Sequence, residues 1–252
     1  VPLLLTGLSV ALAFRAGLFN IGGEGQLYAG GLAAAWLGGL RLGIPAPLYV
    51  PLALLGAVVA GGIWGAIPGW LKARRGVHEV INTIMMNHIA IQASSYLVGG
   101  PLRDGEYAIR TKEIASEAAL PLLWSVPPIE VSWGIVLALL LCVLTTQILF
   151  RTATGYEIRA VGKGAAAATA SGIATGRTLV MSMGLAGGLA GLAGGLEICG
   201  LHHTFYAQFS PGYGFDGIAV ALLARNHPLG VIPAALLFGA LRTADRWLQL
   251  SA

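Results

Sequence analysis

Four stretches of this chain are long and apolar enough to limit its fold before any motif is considered. They cover residues 47–70, 79–98, 131–150 and 178–198. A helix needs about 20 predominantly apolar residues to cross the hydrocarbon core of a bilayer. Only 10% of the residues are charged, whereas soluble domains contain about 25%. We therefore predict an all-α fold, a polytopic transmembrane helical bundle in a lipid bilayer, whose 37 glycines allow close helix packing.

Two further apolar regions are interrupted. Residues 3–14 and 25–40 flank a glycine-rich segment, and residues 215–225 and 231–241 flank the sequence Asn-His-Pro-Leu-Gly at 226–230. Each piece is too short to span a bilayer alone. Non-helical backbone is tolerated at membrane depth where protein buries it or where it lines a wet cavity, and such broken helices often mark a translocation path. We predict two broken or re-entrant helical segments; simple kinks at glycine and proline are the alternative.

A polar segment, residues 151–177, separates the last two long apolar stretches. Its basic residues are Arg151, Arg159, Lys163 and Arg177. The run 165–170 is almost all alanine, the strongest helix former, so we expect a short surface helix there. The turn at 72–75 is also basic, whereas the loop 99–130 contains five acidic residues. Because cytoplasmic loops are enriched in Lys and Arg, we place 151–177 in the cytoplasm, where it would meet a soluble partner.

Glu24 is the most unusual single residue, because it lies between two apolar runs with Asn20 and Gln26 close by. A carboxylate at bilayer depth is unfavourable unless it is hydrated, paired or protonated. Glu24 is therefore either a residue of a translocation path or an interfacial group that caps the helix starting near Gln26, where the helix dipole favours negative charge.

The segment 78–92, HEVINTIMMNHIAIQ, begins like a metalloprotease helix but has Asn82 where the second histidine of HExxH would stand. At helical spacing its polar residues form two sets: Glu79, Thr83 and Asn87 on one face with Asn82 beside it, and His88 with Gln92 on another. Polar residues of a membrane helix face the bundle interior or a wet cavity. We expect cavity lining, with hydrogen bonding between helices as the alternative.

Several enzymatic and binding functions are excluded by spacing. Gly155 and Gly162-Lys163 lack the spacing and the Ser or Thr of a phosphate-binding loop. Glu197, His202, His203 and Asp216 fall at the end of an apolar stretch and in the loop after it, where we expect solvated side chains rather than a metal site. The two cysteines, Cys142 and Cys199, are read as small buried residues. The net charge of +4 reflects basic loops, and no basic patch with interleaved aromatics indicates nucleic-acid binding.

Four motifs along the chain resemble those of one transport family. The motifs are GLFNIGGEGQ (17–26), GVHEVINTIMMNHIA (76–90), GYEIRAVGKGAAAATASGI (155–173) and GYGFDGIAVALLARNHPLGVI (212–232). Together they resemble the permease subunits of bacterial ABC importers, in the class that includes branched-chain amino acid and ribose permeases. FNIG-x-EGQ is similar to the simple-sugar and nucleoside group, whereas ribose-type permeases read something like DLSVG and amino-acid types read FNIGHG.

The resemblance implies that the chain is a transport subunit rather than an enzyme, with no cofactor. In this family a coupling helix in a cytoplasmic loop docks on a separate ABC ATPase subunit; here that is the coupling loop 151–177, in which Arg159, Lys163 and Gly172 match. Relatives usually read N-P-E-A-A where this chain has residues 164–168, so Ala166 stands in place of the acidic residue.

The resemblance also implies partners and a location. We expect a second permease subunit, as a homodimer or heterodimer, an extracytoplasmic substrate-binding protein, and the bacterial inner membrane. Residues 1–252 would form a single transmembrane permease domain, lacking terminal helices of the full-length protein. Candidate path residues, chosen for their polarity in apolar surroundings, are Asn20, Glu24, Gln26, Asn82, Asn87 and Asp216.

The expected function is import of nucleosides or related small polar metabolites. Simple-sugar or riboflavin-type cargo is the alternative within the family. Two alternatives come from other classes of protein: a passive channel or ion-coupled carrier, and an intramembrane hydrolase. The sequence shows no recognisable nucleophile and base that would favour the hydrolase.

Overall fold

The computed structural model describes residues 1–105, 109–126 and 129–251. These residues form ten helices and one antiparallel hairpin. The helices are α1 Pro2–Arg15, α2 Gly23–Gly38, α3 Ala46–Arg75, α4 Glu79–Gly99, α5 Gly134–Arg151, α6 Ala153–Lys163, α7 Ala165–Ala170, α8 Thr175–Glu197, α9 Tyr213–Leu223 and α10 Val231–Ser251, and the strands are β1 Leu122–Val126 and β2 Ile129–Ser132.

The four long apolar stretches all form helices, as predicted. Three helical segments in the described chain are long and apolar enough to cross a membrane, namely Ala46–Arg75, Gly134–Arg151 and Thr175–His202. The third continues α8 through a single π-helical turn, Ile198–His202. The helix α4 has 21 residues, the length of a span, but its polar residues keep it outside that apolar group.

Glycines bring α2, α3 and α8 into backbone contact at the centre of the bundle. A Cβ atom placed at Gly61 of α3 would lie 2.5 Å from the carbonyl oxygen of Gly187, and one at Gly30 of α2 would lie 2.2 Å from that of Gly191. Helices associate in lipid through close packing of small residues, because the surrounding acyl chains remove the hydrophobic driving force between them. The high glycine content therefore defines the packing core.

The loops lie at two ends of the bundle. We call them the basic end, which holds the turn at 72–75 and the segment 151–177, and the hairpin end, which holds the β1–β2 hairpin. At the basic end, the turn after α3 meets the start of α8, where a Cβ at Gly176 would lie 3.7 Å from Ala73, and Gly162 of α6 packs on the backbone of Arg15. The basic turn at 72–75 and the basic segment 151–177 therefore lie at the same end of the bundle, as expected if both face the cytoplasm. At the hairpin end, the amide of Ala115 donates to the carbonyl of Gly38 at 2.8 Å, and the loop before α5 forms the β1–β2 hairpin, which was not predicted.

The two interrupted regions have different geometries. The first is a true break, residues 16–22, between α1 and α2. The second lies where it was predicted: α9 ends at Leu223, α10 begins at Val231, and residues 226–230 fall between them. That segment is a turn at the basic end, where the Arg15 guanidinium donates to the carbonyl of Asn226 at 2.8 Å. A further interruption, which was not predicted, lies inside the bundle before α9, an 11-residue helix that is too short to span a bilayer and begins beside α2.

Candidate functional site: the junction of two broken helices

One face of α4 supplies hydrogen bonds to the backbone of the first break. The amide of Phe19 donates to Glu79 Oε1 at 3.4 Å, and the amide of Ile21 donates to Thr83 Oγ1 at 3.3 Å. One turn further along, Asn87 Oδ1 accepts from the amide of Gly25 at 2.8 Å. Backbone N–H groups have no water partners in the bilayer core, so an open helix is tolerated only with such protein partners.

Asn87 is bound on both sides of its amide, since its Nδ2 also donates to the carbonyl of Ile21 at 2.8 Å. The side chain is only 2% exposed. The predicted stripe of Glu79, Thr83 and Asn87 therefore exists, and in this conformation it makes the interhelical hydrogen bonds that were the alternative to cavity lining.

Asn20 and Gln26 fold the break onto itself. Asn20 Nδ2 donates to Gln26 Oε1 at 3.0 Å, Gln26 Nε2 donates back to Asn20 Oδ1 at 3.1 Å, and the same Oδ1 accepts from the amide of Gly22 at 3.0 Å. Both side chains are buried. Such a closed amide pair satisfies polar groups that would otherwise be unpaired in a low-dielectric interior.

Glu24 joins the two interrupted regions. Its Oε2 accepts a hydrogen bond from the amide of Gly214, in the first turn of α9, at 2.7 Å. Glu24 is 2% exposed. The carboxylate thus caps the N-terminus of α9, where the helix dipole favours negative charge. The predicted capping role applies, but to a helix 190 residues away in sequence rather than to its own.

The junction lies inside the bundle. From Gly214 the helix α9 runs to the basic end over 11 residues, about 16 Å at 1.5 Å per residue. From Glu24 the helix α2, 16 residues in all, runs to the hairpin end over about 22 Å. The approach is close: a Cβ at Gly214 would lie 2.1 Å from the Glu24 amide nitrogen. Two half-helix N-termini therefore meet at membrane depth, an arrangement found at the substrate and ion sites of transporters.

Asp216, in the first turn of α9, forms an ion pair instead of a hydrogen bond with the junction residues. Its Oδ2 pairs with Arg242 Nε of α10 at 2.7 Å, with both side chains about one-third exposed. Arg242 also donates to the carbonyl of Pro211 at 2.6 Å and lies over the ring of Tyr213 at 5.0 Å. The ion pair thus connects α10 to the entry of α9, and sequence spacing alone gave no sign of it.

Three other polar residues of α4 take no part in the hydrogen bonds of the junction. The Nδ2 atom of Asn82 is buried and has no hydrogen-bond partner among the described residues. His88 and Gln92, which we expected to face the bundle interior or a wet cavity, are exposed on the outward face of α4. Four of the six candidate path residues, Asn20, Glu24, Gln26 and Asn87, therefore converge, while Asn82 and Asp216 do not join them.

The coupling candidates divide into two groups. Lys163, Ala166 and Gly172 are exposed at the basic end on and beside α7, a six-residue helix that matches the surface helix predicted at 165–170. Arg159 is half-buried instead, with its guanidinium 5.1 Å from the centroid of the Phe150 ring. Arg159 therefore attaches α6 to α5, a role that its basic charge did not indicate.

One expectation for the hairpin end was wrong. Glu197, expected to be solvated, is the last residue of α8 and is only 6% exposed. Its Oε2 lies 3.6 Å from His202 Nε2. His202 packs edge-on against the Tyr206 ring at 5.4 Å. Glu197 is thus buried beside a partly exposed His202, and the π-helical turn that brings the two residues together is not predictable from spacing.

The contrast between Asn87 and Asn82 gives a testable prediction. Asn87→Ala leaves the Gly25 amide and the Ile21 carbonyl unpaired, so we expect the free energy of unfolding to fall by about 2–3 kcal/mol. Asn82→Ala, five residues earlier in the same helix, removes an amide whose Nδ2 has no protein partner among the described residues and should cost under about 1 kcal/mol. Thermal unfolding of the two purified full-length variants compares them. Equal losses would contradict the assigned hydrogen bonds.

The fold and the junction define a class. A multi-pass helical membrane protein with two interrupted helices, whose N-termini meet at membrane depth, has the architecture of a transport protein. Residues 1–251 match the family described as the permease component of the branched-chain amino acid transport system. The chain belongs to this family, and it is a permease subunit of the ABC transporter type.

The relatives add detail. The chain is 45% identical over 247 residues to a guanosine ABC transporter permease protein of Bacillus subtilis, covering 96% of this chain and 70% of that protein. It is 38% identical over 250 residues to a glucose ABC transporter permease protein of Haloferax volcanii, covering 96% and 66%. The identity is also 38% with a nucleoside ABC transporter permease protein of Lactococcus lactis, covering 96% and 69%. The chain therefore spans about two thirds of the length of these relatives. No solved structure matches it.

Proposed function

We propose that this chain forms the core of a permease subunit that imports nucleosides, powered by ATP hydrolysis in a separate ABC ATPase. The observation that carries the proposal is the 45% identity, over 96% of the chain, with a guanosine permease. The sequence GLFNIGGEGQ, typical of the simple-sugar and nucleoside group, folds into the junction that Glu24 closes. The second candidate cargo is a simple sugar, favoured by the 38% identity with a glucose permease; riboflavin is third, at 30%.

Competition of uptake tests the cargo. Cells that lack their own nucleoside uptake would express the complete transporter and receive radiolabelled guanosine with an excess of unlabelled guanosine, glucose or riboflavin. We expect guanosine alone among the three to reduce uptake. Absence of saturable guanosine uptake, together with uptake of radiolabelled glucose by the same transporter, would overturn the nucleoside assignment in favour of the sugar.

The proposed partners follow from the two ends of the bundle. The basic end, with Lys163, Ala166 and Gly172 exposed, would face the cytoplasm and dock on the ATPase. The hairpin end would face outward and receive the substrate-binding protein. A second permease subunit, identical or paralogous, would complete the transporter in the bacterial inner membrane.

The convergent residues suit a mechanical role in this cycle. The polar atoms of Asn20, Gln26 and Asn87 and one carboxylate oxygen of Glu24 bind protein in the present conformation. We propose that they hold the break closed and that their hydrogen bonds rearrange between inward-facing and outward-facing states. Contact of Asn82 and Asp216 with substrate stays a prediction.

The proposed coupling segment gives a second testable prediction. Replacing residues 163–172 of the full-length permease by a Gly-Ser linker removes α7, an exposed helix whose buried residue is Ala168 alone. We expect the ATPase subunit to be lost on co-purification and ATP-driven uptake to fall to background, while the permease remains folded. The control replaces the exposed residues 40–43 at the hairpin end by a Gly-Ser linker, which should leave the ATPase bound. An unchanged complex after the 163–172 replacement would refute ATPase docking on α7.

A further inference from the structure

The outward face of α4 carries polar side chains at the middle of a membrane helix. His88 and Gln92 are exposed there, and they lie one turn apart, so that their side chains are neighbours. Met85 is 52% exposed and Tyr96 is 74% exposed on the same face. The buried face of the helix, with Thr83 and Asn87, points the opposite way toward α2.

These residues lie at bilayer depth. The helix α4 begins with Glu79 at the basic end, so that at 1.5 Å per residue His88 is about 14 Å and Gln92 about 20 Å along its axis. The hydrocarbon core is about 30 Å thick, which places both near its middle. Polar residues at this depth face protein or a water-filled cavity rather than lipid.

The outward faces of the neighbouring spans differ. On α3 the exposed side chains from the first turn to the last third are those of Leu48, Leu52, Leu55, Val59, Ile63 and Ile67, and on α5 the mid-helix ones are Leu139, Leu140, Val143 and Leu144. These faces suit acyl chains. The outward face of α4 differs because an imidazole, an amide and a phenol interrupt its exposed apolar side chains, which include Ile81 and Ile89.

We propose that the outward face of α4, comprising Met85, His88, Gln92 and Tyr96, is a substrate-contacting wall of the translocation path. A second permease subunit would provide the opposite wall. The ligand chemistry is that of a neutral nucleoside, and this part rests on the proposed function. The Gln92 amide and the His88 imidazole supply donors and acceptors for a base or a ribose hydroxyl, and the Tyr96 ring supplies a stacking surface.

The charge of α4 supports a neutral ligand. The helix contains no Lys or Arg, and its single acidic residue, Glu79, is buried on the other face. A phosphate group is recognised by Arg, Lys or a helix N-terminus, and the outward face of α4 offers none of these at the depth of His88. The outward face of α4 therefore favours a neutral nucleoside over a nucleotide.

Cysteine accessibility tests the position of the wall. In a full-length background without other cysteines, which includes Cys142→Ser and Cys199→Ser at two buried positions, His88→Cys and Gln92→Cys are expected to react with a water-soluble methanethiosulfonate reagent. Guanosine, supplied with the binding protein and ATP, should slow the reaction. Leu140→Cys, at a residue 58% exposed on α5, is the lipid-facing control and should not react. Lack of reaction at both α4 positions, with guanosine uptake intact, would show a wall covered by lipid or another helix and would overturn the proposal.

A second variant tests whether Gln92 contacts the transported ligand. Gln92→Leu is expected to raise the KM of guanosine uptake about tenfold, the effect of one lost hydrogen bond, without changing the amount of ATPase bound. Unchanged KM would overturn ligand contact by Gln92. Reactive cysteines that are protected by glucose and not by guanosine would contradict the nucleoside assignment while leaving α4 on the path, so the two proposals fail separately.

Discussion

The Gly191→Ala variant is expected to destabilise the folded bundle strongly. The added Cβ would lie 2.4 Å from the carbonyl oxygen of Ala57 and 2.8 Å from the Cα of Gly61, and both are backbone atoms that cannot move without separating α3 from α8. On the side of α2, a Cβ at Gly30 would lie 2.2 Å from the Gly191 carbonyl oxygen, so three helices meet at this residue. Overpacking typically costs 1–3 kcal/mol, and because the contacts here are backbone atoms, we expect about 3 kcal/mol or more.

Gly184→Ala is the matched control for this prediction, since it lies two turns earlier in α8. Its Cβ would lie 3.7 Å from the carbonyl oxygen of Gly62 and 3.8 Å from Ala66, which are ordinary contacts. Alanine is also the better helix former by up to about 1 kcal/mol, so stability should hold or rise. Thermal unfolding of the two purified full-length variants measures the difference. Equal midpoints would mean that the helices pack less closely than described.

Glu24→Ala is expected to abolish transport and to destabilise the protein. The substitution leaves the Gly214 amide without its acceptor at a point where α2 and α9 pack backbone to backbone. Loss of a buried hydrogen bond to a charged group costs about 2–3 kcal/mol. Glu24→Gln keeps an acceptor oxygen, so its unfolding midpoint should lie between those of Glu24→Ala and the unaltered protein. Stability is followed by thermal unfolding, and transport by guanosine uptake.

The control for Glu24 is Glu130→Ala, at an exposed acidic residue of β2. We expect its stability to change by no more than about 0.5 kcal/mol. If Glu24→Ala unfolds at the same midpoint as Glu130→Ala, the carboxylate does not tie α2 to α9. If it is stable and still transports, Glu24 has neither a structural nor a gating role.

Local features that could be read from the sequence concern the first break. The glycine-rich segment before Gln26 interrupts an apolar run, and helical spacing placed Glu79, Thr83 and Asn87 on one face of α4. The structure confirms both features. Each depends on residues near in sequence or on the period of a single helix, which a linear pattern records.

Features that depend on contacts between distant residues could not be predicted from the sequence. Glu24 caps a helix that starts at residue 213. The interruption before α9 depends on the packing of Gly214 against α2 and not on the composition of that segment. The Asn-His-Pro-Leu-Gly sequence did mark an interruption, between α9 and α10. Its composition could not show that this interruption is a turn at the end of the bundle, because a break within the bundle has the same composition. Likewise, helical spacing paired His88 with Gln92 but could not give the direction in which the pair points.

ATP dependence of uptake is the most direct test of the central claim that this chain is the permease core of an ATP-driven nucleoside importer. Proteoliposomes would contain the full-length permease, its ATPase and its binding protein, with radiolabelled guanosine outside and ATP inside. We predict accumulation against a gradient with ATP, and none with a hydrolysis-deficient ATPase. Guanosine entry at the same rate without ATP would identify a passive channel, and entry driven by a proton or sodium gradient would identify an ion-coupled carrier; either result would contradict the account.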